Sequence, residues 1–222
     1  MIALALPDVP RWIEAHGIAR DPEGWRHELR GGFAIGHDGV KLVVVAGEAD
    51  ANAVAALARE RIGYTILFAI EREDVVAALA AIGRTSERAI LHTLPDPDRL
   101  PDYEGAAPLG DGGLDGVSPA LAAELAWARS RGPVWAAWLD GEAASFAYAP
   151  WRSEKWFDVS VDTVPGARQL GLATIVAAAM IRGERALGRE PVWGADEGNA
   201  PSLRLARRLG FEPVDELWVC AH

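Results

Sequence analysis

Between residues 95 and 119 the chain carries Pro95, Pro97, Pro101, Pro108 and Pro119 together with Gly105, Gly110, Gly112, Gly113 and Gly116. Proline removes a backbone donor and glycine adds conformational freedom, so such a run sustains neither a helix nor a central strand. This segment divides the 222 residues into an N-terminal domain at 1–95, a linker at 96–117 and a second domain at 118–222. The chain is long enough for each part to bury a core.

The first part alternates strand and helix patterns. Leu4 to Gly17 is amphipathic around Trp12 and Ile13. Two apolar runs, Phe33 to Ile35 and Lys41 to Ala46, flank His37-Asp38-Gly39, and Asp-Gly favours the positive φ of a tight hairpin. A helix is expected from Asp50 to Arg61, with Val54, Leu57, Ala58 and Ile62 at three- and four-residue spacing. A strand at Tyr64 to Ile70, a helix at Glu73 to Ile82 and a strand at Arg88 to Leu94 follow. The resulting order, ββαβαβ, is that of an α/β or α+β domain.

The second part opens on Ser118-Pro119, a helix cap followed by proline at the first helical position. Strands at Val134 to Leu139 and Ala143 to Tyr148 flank Asp140-Gly141, a second hairpin. Trp156 to Thr163 alternates as one strand, with Phe157, Val159, Val161 and Thr163 on one face and Asp158 and Asp162 on the other. A helix from about Gly171, a short strand at Pro191 to Gly194, a helix from Ala200 to Leu209 closed by Gly210, and a strand at Phe211 to Cys220 complete it. Trp135, Trp138, Trp151, Trp156 and Trp193 fall in or beside these strands, where aromatics fit a half-buried sheet surface.

The chemistry concentrates where the alternating strand turns into a helix, at Arg168-Gln169-Leu170-Gly171-Leu172-Ala173-Thr174. The first N–H groups of a helix have no intrahelical partner, and the helix dipole favours an anion beside them. Gly171 admits close approach of a bulky phosphate, Ala173 keeps the next turn small, and Thr174 offers a hydroxyl. The same residues also describe an ordinary strand–turn–helix junction, and the motif alone does not decide.

Other classes are easier to exclude. The formal charge is -10, against the basic face that a nucleic-acid partner requires. One cysteine, Cys220, builds no disulfide framework and no cysteine zinc site, and the five histidines show no metal-ligand spacing. The opening residues lack the basic start of a secretion signal, and the longest apolar run, Leu172 to Ile181, is half a membrane span. A soluble, cytoplasmic protein without a metal or a membrane partner is expected.

Beyond the loop come Asn199-Ala200-Pro201-Ser202 and then Leu209-Gly210-Phe211. With these two motifs in that order and spacing, the last ninety or so residues resemble the GCN5-related N-acetyltransferases (GNAT). The resemblance implies a mixed, mostly antiparallel sheet flanked by helices. It makes the N-terminal ββαβαβ unit a candidate degenerate copy of the same fold, one without the CoA loop. It implies acetyl-CoA as co-substrate and an amine-bearing acceptor, with a homodimer one open oligomeric state. It assigns the pyrophosphate to the backbone of Arg168, Gln169, Leu170, Gly171, Leu172 and Ala173, beside Thr174. The pantetheine arm falls to the free backbone of Val161 and Thr163, and an N–H near Val161 polarises the thioester carbonyl.

Asn199 and Ser202 would touch pantetheine, although both also sit where a helix cap or first turn needs a polar side chain. Asp158 is the nearest carboxylate for a general base, one residue out of phase with the family, and a structural aspartate is the competing reading. Many members carry a tyrosine acid seven residues beyond the asparagine, where this chain has Ala206. Two functions therefore stand: an N-acetyltransferase, and a non-catalytic acyl-CoA-binding module with an N-terminal interaction domain.

Overall fold

The computed structural model describes every residue except Asp111, Gly113, Asp115 and His222; the linker glycine Gly113 thus lies outside the described residues. Two compact units draw on the chain differently from the limits 1–95 and 118–222. The first holds Met1–Leu91, Gly194–Ala200 and Pro213–His222, and the second His92–Trp193 and Pro201–Glu212.

The first unit contains helix α1 (Ile13–Arg20), strands β1 (Gly24–Leu29), β2 (Gly32–His37) and β3 (Leu42–Gly47), helix α2 (Ala51–Glu60), strand β4 (Thr65–Ala69), helix α3 (Glu73–Ala80) and most of strand β5 (Thr85–Thr93). β1 to β3 form an antiparallel meander, β3 and β4 are parallel, and α2 is the crossover between them. The expected order lacked β1. Its Arg26, His27 and Glu28 are exposed, as suits a charged edge strand, and a polar run gives no apolar signal. The hairpin after β2 also differs from expectation. Lys41 takes the positive φ, 52°, while the Gly39 N–H donates to His37 Nδ1 at 3.1 Å.

Helix α2 buries Val54, Leu57 and Ala58 against Val43, Val45, Ile66 and Phe68 of the sheet. Burial of Val54 and Leu57 contributes roughly 1.5–3 kcal/mol each. The last strand of the chain, β12 (Glu212–Ala221), is inserted between β4 and β5 and pairs antiparallel with β4, Trp218 opposite Phe68. Cys220 is thereby buried in this core. The C-terminal strand's place in the first unit explains why the compact units interleave in sequence.

The second unit contains strand β6 (Ala106–Pro108), helix α4 (Pro119–Arg129), strands β7 (Trp135–Leu139), β8 (Glu142–Tyr148), β9 (Trp156–Asp158) and β10 (Ser160–Thr163), helix α5 (Leu172–Arg185), the start of strand β11 (Glu190–Asp196) and most of helix α6 (Ala200–Arg208). A four-stranded sheet runs β10-β8-β7-β6. The linker segment thus supplies one short strand, at the sheet edge where Pro108 needs no ladder partner on its open side. At the β7–β8 turn both Asp140 (φ 52°) and Gly141 (φ 86°) are left-handed, as that hairpin demands.

Ser118 caps α4 by accepting from Leu121 N–H. Helix α5 lies on the sheet with Gly183 against the Trp135 ring: a Cβ there would come 2.5 Å from Trp135 Cζ2. On the same helix Glu184, 1 % exposed, pairs with Arg152 at 2.6 Å and is also approached by Arg189.

Candidate active site

The run from Trp156 to Thr163, expected as one strand, is broken at Val159. Before the break, β9 pairs parallel with β11, ending with the bond from Val159 N–H to Val192 O at 2.9 Å. After it, β10 pairs antiparallel with β8. Leaving one neighbour for another splits the strand and uncovers backbone on the side away from β8. Just beyond β10, Val164 N–H donates to Ala144 O at 2.9 Å. Alternation along an antiparallel ladder then gives the β8 bonds to Asp162 and Ser160 and turns the N–H and C=O of Val161 and Thr163 to the open side. Thr163 O accepts from Arg168 Nε at 3.3 Å.

The chain next makes one turn of 3-10 helix, Pro165–Ala167, and enters α5. Gln169 (φ 65°) and Gly171 (φ 84°) are both left-handed, and such alternations curve successive N–H groups toward one point. Gly171 is the N-cap of α5 and has no side chain with which to cap that end. Space lies open where a Gly171 Cβ would be. Arg168, Gln169 and Leu170 are exposed, Leu172 and Ala173 half-buried, and Thr174 buried. An uncapped helix start, bent N–H groups and open space suit an anion. Helix α2, which holds the equivalent place after β3, differs at this point. Asp50 caps it by accepting from Ala53 N–H at 3.0 Å, putting a carboxylate where a phosphate would have to sit.

Asp158 is the last residue of β9, immediately before the break. Withdrawal from water pushes its carboxyl up to about 7, with the Val159 N–H pulling it back down. Asp162, the other candidate on that face, is engaged by Tyr148, whose hydroxyl lies 2.8 Å from Asp162 Oδ2 and 2.6 Å from Glu124 Oε1. Burial first, then the Glu124 bond and the Asp162 charge, hold the Tyr148 proton far above the ordinary phenol range. The Ser145 and Thr163 hydroxyls meet at 2.7 Å. The chain Glu124–Tyr148–Asp162 was not visible in the sequence, because it joins a helix to two strands through residue types common anywhere.

Ser202 accepts from Trp193 Nε1 at 2.9 Å, so its hydroxyl fastens α6 to β11. Asn199 lies in the first unit, exposed, in a turn where its N–H donates to Asp196 O at 2.8 Å. Ala206 is fully buried on α6, with its carbonyl taken by Phe211 N–H. A group of metal-ligand type also exists that residue spacing did not suggest. Asp21, Glu23 and His37 converge in the first unit, with His37 Nε2 at 3.3 Å from Asp21 Oδ1. The Gly39 N–H on Nδ1 fixes the tautomer whose Nε2 bears the proton, so that nitrogen faces the carboxylates as a donor.

Residues 129–220 match the family model described as GNAT acetyltransferase. No curated protein matches the chain in sequence. Among solved structures, a GCN5-related N-acetyltransferase from Kribbella flavida superposes with TM-score 0.66 at 18% identity, covering 95% of this chain and 93% of that one. A GCN5-related N-acetyltransferase-like protein from Streptococcus suis gives 0.61 at 16%, covering 96% and 98%. A tandem GNAT protein from the clavulanic acid biosynthesis pathway gives 0.56 at 16%, covering 99% and 89%. At these identities the structures speak for the fold, and the family model for residues 129–220. On that match, residues 129–220 form a domain of the GNAT acetyltransferase superfamily.

Proposed function

We propose that the chain is an N-acetyltransferase that moves an acetyl group from acetyl-CoA to an amine of a small molecule or peptide. The observation that carries this reading is the start of α5 without a capping side chain at Gly171, behind left-handed Gln169 and Gly171 and next to the edge strand β10, whose Val161 and Thr163 backbone groups are turned away from β8. The N–H groups of Gln169 to Ala173 bind the pyrophosphate, the Arg168 N–H being given to Pro165 O at 3.4 Å, and Val161 and Thr163 align the pantetheine arm. Arg168 adds positive charge, and Ser202 is a second-rank contact, already committed to Trp193.

The amine nitrogen attacks the thioester carbon, the C–S bond breaks, and the sulfur leaves as thiolate. The Val161 N–H stabilises the carbonyl oxygen as it gains charge. Asp158 takes the proton that the amine sheds, a task suited to a carboxyl near 7. With Ala206 buried, no side chain at that position protonates the sulfur, and a thiol of pKa about 8.5 leaves unassisted.

The test is thiol release from acetyl-CoA with a panel of primary amines, for the native chain and for Asp158→Asn. Amine-dependent release in the native chain and its loss in the variant support the proposal. The buried Ala206 favours a second reading, a non-catalytic acyl-CoA-binding module, which predicts acetyl-CoA binding with no thiol release from any amine.

A further inference from the structure

The first unit contains a cavity of about 260 Å³ at the carboxyl ends of the parallel strands β3 and β4. Open α/β sheets bind ligands at such ends. Its apolar surface comes from Val45, Phe68 and Trp12, and its charged groups are Arg11, Arg72, Glu48 and Glu71.

The two guanidiniums are already committed. Arg72 donates to both oxygens of Asp74 at 2.8 and 2.9 Å and to the carbonyls of Gly47 and Ala49. Arg11 grips Asp215 through Nε at 2.8 Å and Glu71 through Nη1 at 3.1 Å. Around these two cations stand five carboxylates, Glu48, Asp50, Glu71, Asp74 and Asp215. The local balance is three negative charges in excess, and the exposed Glu48 makes no ion pair within 4.0 Å among the described residues. An anion entering here meets arginines with little left to donate and the Glu48 carboxylate, which Arg72 feels at a distance without a direct ion pair. A cation meets Glu48 beside the lining rings of Trp12 and Phe68, and an aromatic ring attracts positive charge at its face.

We propose that this cavity is a binding site for a small organic ammonium ion, a primary or quaternary amine on a short apolar stem. Glu48 receives the positive head, and Val45, Phe68 and Trp12 take the stem. The site is separate from the acyl-transfer reading and does not depend on it. It gives the N-terminal unit a ligand of its own, where the Asp50 cap on α2 opposes a phosphate.

The experiment is calorimetric titration of the full chain with butylammonium, butyltrimethylammonium, butyrate and butanol, repeated on Glu48→Gln and Trp12→Leu. Glu48 is exposed, so its variant is expected to melt like the native chain. The expected result is binding of both ammonium probes, no measurable binding of butyrate or butanol, and ammonium affinity about tenfold weaker in Glu48→Gln, the scale of one charge-assisted contact. Trp12→Leu weakens the quaternary probe. No ammonium binding, equal or better binding of butyrate, or ammonium binding unchanged in Glu48→Gln overturns the proposal. The last outcome would place the amine at an acceptor site elsewhere.

Discussion

Gly171 and Asp158 carry the account between them, one for binding and one for chemistry. At φ 84° with open space ahead, Gly171 is required by its backbone conformation rather than by a neighbouring atom. Gly171→Ala is expected to lower stability by about 1 kcal/mol, the usual cost of a left-handed non-glycine residue, read as a fall in Tm. The Asp158 carboxyl, raised to about 7 from its ordinary 3.8, makes two predictions of opposite sign. Activity needs the deprotonated base, so kcat/KM rises with pH through about 7, and Asp158→Asn removes that limb without removing acetyl-CoA binding. Stability runs the other way. The folded state holds the Asp158 proton more tightly, so this group's contribution falls as pH rises from about 4 to about 7. A denaturation series over that range checks it, with the native chain sloping more steeply downward than Asp158→Asn.

At the scale of elements, the helix α5 and the strands beneath it show how the loop is held in place. The Trp135 ring fills the groove left by Gly183, so Gly183→Ala drives a methyl group into the indole and is expected to cost about 1–3 kcal/mol. Thermal unfolding measures this, and an unchanged Tm would mean that the ring is not packed there. The Arg152–Glu184 pair is nearly dry. Glu184→Gln leaves the guanidinium under-compensated and is expected to cost about 3–5 kcal/mol.

Helices α2, α4, α5 and α6 were legible from spacing and caps, and so was the Asp140-Gly141 turn. The break at Val159 was not. Its residues alternate as one strand should, and only the bond to Val192, thirty-odd residues on, divides them. Edge strand β1 was missed for the opposite reason, since exposed charge erases the apolar pattern on which strand recognition depends. The turn into α5 was readable because its left-handed backbone needs glycine at a fixed place, Gly171. The Tyr148 chain was not, because its partners meet only in three dimensions.

For the whole molecule, the notable feature is that the last strand completes the first unit's sheet. β12 lies between β4 and β5, so the N-terminal unit cannot be cut out at the proline-rich segment without exposing both of those edges. A chain ending before residue 213 is expected to lose the cooperative unfolding of the first unit and to aggregate; a truncated chain that melts like the native one would show that β12 is dispensable. The sequence pattern placed that strand with its neighbours along the chain, since pairing partners far apart leave no local mark. The central claim is that the start of α5 binds the pyrophosphate of acetyl-CoA. Calorimetric titration of the purified chain with acetyl-CoA, repeated on Gly171→Glu, tests it most directly. Micromolar binding that the glutamate abolishes is the result predicted, whereas no binding to the native chain, or equal binding to both, would contradict it.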